Sequence, residues 1–308
     1  MSAMSHLAKL AGAIVLMCVG AVRAQSTSHP TPRPSTQPAT RPAVEQPEEF
    51  RALAAKVRQR ESLHVQCVAV VEMTGEATTR PTTRSTTRGA TTRPIATKAE
   101  VSFWATSAGW RARTKADGTD ASDTILRDGM FYWIQILPPP YGTVAQCAEA
   151  PTPSHWVELV GGPGGLLLDA WNGYPLMARG GKLALLSSPP PELRRLAPDA
   201  KWFEKEYVGR EGPSPVDAGG VAKVALSAED GLPRALAMEE PVGPDSEGRT
   251  FRLTIVYDDV RVGEAEAGDL KFPAEAAKLE WKDMRTGEVV RPPASLFAEA
   301  DAGEGSGE

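Results

Sequence analysis

The chain has 308 residues, 24% of them charged, with a formal net charge of −5. That acidic balance excludes nucleic acid as a partner, since binding a phosphate backbone calls for a basic face. Three cysteines, and four histidines without spacing of the His-Glu-x-x-His kind, give no metal site.

Residues 1–24 read as a secretory signal peptide: Lys9, an apolar run over 10–22, then Val22-Arg23-Ala24 ahead of Gln25. The run is too short for a comfortable transmembrane helix. Cleavage near Ala24 and a periplasmic, exported chain are expected. Losing Lys9 and Arg23 takes the formal charge from −5 to −7. Cys18 leaves with this segment, because Met17 is bulky where lipoprotein processing wants a small residue. Cys67 and Cys147 stay, in an oxidising compartment. A disulfide between them and two buried thiols are both open, since a bridge needs Cα atoms within about 7 Å.

Residues 25–46 form a Pro-rich linker in which TPRP, STQP and ATRP repeat through Pro34, Pro38 and Pro42. Such a stretch is extended and builds no core. It is either a tether or a disordered leader. A helix is predicted over 47–61, with Glu48 and Glu49 at its positive end. Phe50, Leu53, Ala54 and Val57 make one apolar stripe. Residues 63–74 alternate as a half-buried strand. Residues 76–98 repeat TTRP-like units with Arg80, Arg84, Arg88 and Arg93, and read as a disordered insertion. Such a segment could touch anionic lipid or simply be solvated.

Strands follow at 99–104 and 109–115, and a hairpin at 122–137 turns at Asp128-Gly129. Its second strand is apolar on both faces: Met130, Tyr132 and Ile134 on one, Phe131 and Trp133 on the other. It is therefore covered twice. Residues 141–147 offer one more strand. Over 148–200, Gly161-Gly162-Pro163-Gly164-Gly165 precedes Leu166-Leu167-Leu168-Asp169-Ala170-Trp171, without the Gly-Lys-Ser/Thr of a phosphate loop. Two short apolar elements on flexible joints suit either a lid or a plain connector. A helix is expected at 191–196. Strands return at 201–210, 221–227, 232–239 and 249–262, with Asp230-Gly231 as a second hairpin turn, and a final strand at 277–282. The folded unit spans 47–292, and 293–308 is an acidic disordered tail. The fold class is mainly β (α+β): a largely antiparallel sheet of about ten strands with a few helices.

No Gly-x-Ser-x-Gly elbow or nucleophile–base pair appears, so neither an enzyme nor a cofactor is expected. His64 faces away from the apolar set and reads as a surface histidine. Asp120/Asp123 and Asp258-Asp259 read as turn and strand-end residues. The sheet is rich in aromatics, which either pack a core or line a hollow. In a hollow, burying an acyl chain is worth about 0.8 kcal/mol per CH₂.

The amphipathic helix with its long strand, Gly109-Trp110-Arg111-Ala112-Arg113, the Asp128-Gly129 hairpin with Phe131-Tyr132-Trp133, Asp230-Gly231-Leu232-Pro233-Arg234, Tyr257-Asp258-Asp259-Val260 and Lys271-Phe272-Pro273 follow one another in an order that resembles the LolA/LolB-like lipoprotein-carrier superfamily. The resemblance covers about residues 47–280. It implies a half-open antiparallel β-barrel with helices as a lid. It also implies a periplasmic carrier of lipoprotein acyl chains or another lipid, a monomer in transient contact with membrane and with envelope proteins. The expected ligand-binding lining is Val101, Phe103, Trp110, Phe131, Trp133, Leu253, Ile255 and Tyr257, with Leu167 and Trp171 on the lid. The alternatives are a periplasmic sensor or interaction module on the same fold, and a secreted hydrolase.

Overall fold

The computed structural model describes residues 46–75, 95–116, 119–135, 141–146, 160, 162–178, 182–207, 220–241, 250–283 and 286–299. The signal peptide, the linker up to residue 45, most of the Thr/Arg-rich insertion, the tail from residue 300 on, Cys147 and His155 lie outside them. Helix α1 (Glu48–Arg58) forms where the apolar stripe predicts it, and Phe50, Leu53, Ala54 and Val57 are its buried residues. Among the described residues, thirteen strands then build one sheet.

Six of these strands follow the chain as a meander: β1 (Leu63–Gly75), β2 (Ile95–Thr106), β3 (Gly109–Ala116), β4 (Thr119–Arg127), β5 (Met130–Gln135) and β6 (Tyr141–Gln146). Ile95 to Lys98 thus belong to β2 rather than to the insertion. Helices α2 (Gly162–Trp171) and α3 (Pro175–Ala178) come next, then β7 (Leu183–Leu185) and α4 (Pro191–Leu196). The second meander is β8 (Ala200–Tyr207), β9 (Gly220–Ser227), β10 (Pro233–Pro241) and β11 (Thr250–Gly263). The chain closes with β12 (Trp281–Asp283) and β13 (Val289–Val290).

The strand order is β13-β12-β6-β5-β4-β3-β2-β1-β11-β10-β9-β8-β7. β1 and β11 are paired antiparallel, which joins the two meanders at the middle of the sheet. The outermost strands, β13 and β7, do not pair with each other, so the barrel is half-open. Register shifts at Gln66/Val68, Thr114/Lys115 and Pro233/Ala235 add local bends.

The Asp128-Gly129 turn has φ of 52° and 72°, the two left-handed positions a two-residue hairpin needs. Asp230-Gly231 instead ends a longer loop. Gly231 donates its N–H to the Ser227 carbonyl and has φ 76°. A Cβ on Gly231 would collide with the Leu53 carbonyl oxygen, so the loop lies directly against α1. Lys56 on α1 donates to the Ala228 carbonyl at 2.6 Å and secures the same contact.

The predicted final strand over 277–282 is corrected. Residues 274–278 form a 3-10 turn, and only Trp281–Asp283 is strand, paired parallel to β6. The packed unit also continues past Pro292, since Leu296 and Phe297 are buried.

Candidate functional site

Alternation along each strand sorts the sheet into two faces with different covers. On the concave face, in-register rows run through the ladder, such as Phe203, Val224, Leu236, Ile255 and Val71. A second row joins Leu63, Ala105, Trp110, Leu126 and Phe131. These rows share one apolar cluster with α1, α2, Tyr174 and Met177.

All ten residues expected to line a hollow lie in or against that cluster. Val101, Phe103, Trp110, Phe131, Ile255, Tyr257 and Leu167 are buried in it, while Trp133, Leu253 and Trp171 pack on it partly buried. The structure therefore brings the set together, and it packs α2 against them. Residues 163–170 of that helix are all buried. A helix apolar all round is one that sits inside a core. α2 contacts β2, β3, β10 and α1.

Two tyrosine hydroxyls hold the region together. Tyr257 on β11 donates to the Pro163 carbonyl at 2.7 Å, at the start of α2. Tyr174, just past its end, donates to the Gly231 carbonyl at 2.6 Å. Burial raises both hydroxyls well above their usual pKa, so both remain protonated donors. Tyr174 takes φ 61°, a left-handed conformation uncommon for a bulky residue. Cys67 also faces this cluster, as a free thiol. Burial pushes it up to about 12, so it is no nucleophile at neutral pH.

The opposite face of β4 and β5 answers what covers the second side of the central hairpin. Ile125, Tyr132 and Ile134 pack against Phe272, Ala276, Trp281, Leu296 and Phe297 from the C-terminal segment. Sequence reading missed this cover. The one available signal was the apolar second face of β5 itself.

Arg111 fastens the segment. It donates Nε and Nη2 to Asp123 at 2.9 and 2.6 Å, and Nη1 to the carbonyls of Asp269 and Lys271. The guanidinium lies 5.1 Å from the Trp104 ring centroid, and His64 stacks on that ring. His64 is therefore half-buried beside the C-terminal segment rather than a plain surface residue. Asp120 pairs with Arg113 at 2.8 Å. Both carboxylates of the Asp120/Asp123 pair thus hold β3 to β4. At the other end of the sheet, Leu193 and Ala197 cover Trp202, Ala225 and Ala235 on this face.

A groove of about 540 Å³ lies between the C-terminal segment and the edge strands, lined by Leu279, Trp281, Val290 and Phe297 among others. Among the described residues no cluster of three or more His, Cys, Asp or Glu could hold a metal ion. No helix among them is long and apolar enough to cross a membrane.

No family model and no curated protein sequence matches the chain. Solved structures do. MucB, crystallised in complex with MucA(peri), matches 72% of this chain at 14% identity and a TM-score of 0.35, and the match spans 57% of the MucB chain. The Mycobacterium tuberculosis lipoprotein LppX matches 68% of this chain and 94% of its own at 8% identity and a TM-score of 0.28. A β-barrel-like protein of a domain of unknown function from Brucella abortus matches 66% of this chain and 98% of its own at 9% identity and a TM-score of 0.20. Identities and scores this low leave the function to be read from the chain's own geometry.

Proposed function

We propose that the protein is an extracytoplasmic carrier that binds lipoprotein acyl chains or another lipid on its concave face, with α2 as a displaceable plug, and that it is not an enzyme. The observation that carries this reading is the character of α2. Gly162, Pro163, Gly164 and Gly165 open it, and such residues are poor helix formers. A ten-residue helix of this composition is not stable by itself, so it owes its form to its apolar seat. An acyl chain offers that seat the same apolar contacts. Of the hydrogen bonds described above, the swap breaks one across the helix, from Tyr257 to the Pro163 carbonyl.

The tight packing of the concave face also supports a second reading, a sensor or interaction module that works through its outer surface. Native mass spectrometry of protein purified from an exported fraction without detergent separates the two. The carrier shows heterogeneous added mass, lost on organic extraction and identified as acylated lipid. Trp133→Glu loses that mass while the near-UV circular dichroism of the fold persists. A single bare mass together with no uptake of a fluorescent fatty acid contradicts the carrier and favours the module.

A further inference from the structure

The groove beside the C-terminal segment lies at an open edge of the sheet. β13 is the outermost strand and, among the described residues, pairs only with β12. Asp283 donates its N–H to the Glu288 carbonyl at 2.8 Å, which spends that carbonyl on β12. Backbone groups alternate in direction along a strand, so Val289 turns its N–H and C=O away from β12, where no described strand takes them up. Its side chain is 67% exposed, the most exposed of the large apolar side chains described. Val289 and Val290 both line the groove, although successive strand side chains point to opposite faces, so the groove runs along the edge of β13. Leu279, Trp281 and Phe297 give it an apolar wall.

Two charged residues line it, Glu280 and Arg291. Glu280 is held by Lys282 at 2.8 Å. Arg291 is exposed and has no ion pair or hydrogen bond with any described residue. The uncompensated charge at the groove is therefore a cation, and its planar guanidinium, with five N–H donors, matches a carboxylate. Pro292 and Pro293 follow at once. Proline offers no N–H, so pairing along this edge stops after two or three residues. A free edge, an apolar slot and a cation at the point where pairing stops together fit the end of a chain. We propose that the groove binds the C-terminal end of an extended peptide from a partner protein. The peptide backbone adds to β13, its last apolar side chain enters the groove, and its α-carboxylate meets Arg291. This site belongs to the outer surface and does not depend on displacement of α2.

The test is fluorescence polarisation on the full chain with an N-terminally labelled hexapeptide of alternating threonine and valine that ends in phenylalanine, as the free acid and as the C-terminal amide. The acid is expected to bind about tenfold more tightly than the amide. Arg291→Gln changes an exposed side chain without a partner, so the fold is retained. That variant is expected to bind both peptides with the affinity of the amide. Equal binding of acid and amide by the parent chain, or a preference that persists in Arg291→Gln, overturns the carboxylate assignment. Binding of neither peptide overturns the proposal as a whole. Sedimentation of the free protein tests a second copy as the occupant: a concentration-dependent dimer that Val289→Lys abolishes gives the edge to that copy and overturns the peptide assignment. None of these outcomes bears on the plug reading, which stands or falls on acyl-chain uptake.

Discussion

Arg111 joins parts of the molecule that are far apart in sequence: β3, the Asp123 carboxylate of β4 and two carbonyls beyond β11. Its side chain is only 10% exposed. The pair is costly to desolvate, and its geometry, bidentate with further acceptors, is the kind that compensates. Removing one partner strands the other. Arg111→Met is therefore expected to lower stability by about 3–5 kcal/mol. The double variant Arg111→Met with Asp123→Leu should lose clearly less, as measured by urea unfolding. A double loss equal to or larger than the single one contradicts this role.

His64 adds a pH effect of defined sign. Burial holds its imidazole below the usual 6.5, against the opposing pull of Asp269. The unfolded chain thus takes up a proton at a pH where the folded one does not. Stability falls as pH drops through 6.5 towards the lowered folded value. His64→Gln should flatten the urea midpoint over that window, and an unchanged slope would show that the histidine is not the group responsible.

At the scale of elements, residues with a clear period were legible and residues without one were not. The α1 stripe at Phe50, Leu53, Ala54 and Val57 is buried as its spacing predicts. β5 reads as double-faced, and Phe131 with Trp133 meets the concave cluster while Tyr132 with Ile134 meets the C-terminal segment. The place of α2 was not legible. Leu166, Leu167 and Leu168 are consecutive, so no stripe points to a partner. Nor was β12, because three residues pairing parallel to β6 leave no alternation to detect. The segment from 265 onward was read as strand and tail because its anchors are scattered: Phe272, Trp281 and Phe297 share contacts only after the chain has turned several times. Phe272 is fully buried between these rings and Arg111. Phe272→Ala should cost about 3–5 kcal/mol and loosen the cover over Ile125 and Tyr132. Increased amide exchange confined to β4, β5 and residues 265–299 would show it, and an unchanged midpoint would refute it.

Over the whole molecule, the two faces of the half-open barrel are secured by different means. The outer face of β3–β5 is fixed by a buried ion pair and an aromatic cluster. The concave face is filled by a glycine-opened helix. On the proposed carrier reading, that contrast makes the concave side the one to exchange its contents. The account rests on α2 leaving its seat, and the structure offers a way to prevent it. A Cβ on Gly164 would lie 3.5 Å from the Ala112 Cβ, a separation compatible with a disulfide. The deciding measurement is uptake of a fluorescent long-chain fatty acid by the Ala112→Cys, Gly164→Cys variant with Cys18 and Cys147 replaced by serine, before and after reduction. The account predicts no uptake while the helix is bridged to β3 and full uptake once the bridge is reduced. Equal uptake in both states would contradict it and place any lipid site elsewhere on the molecule.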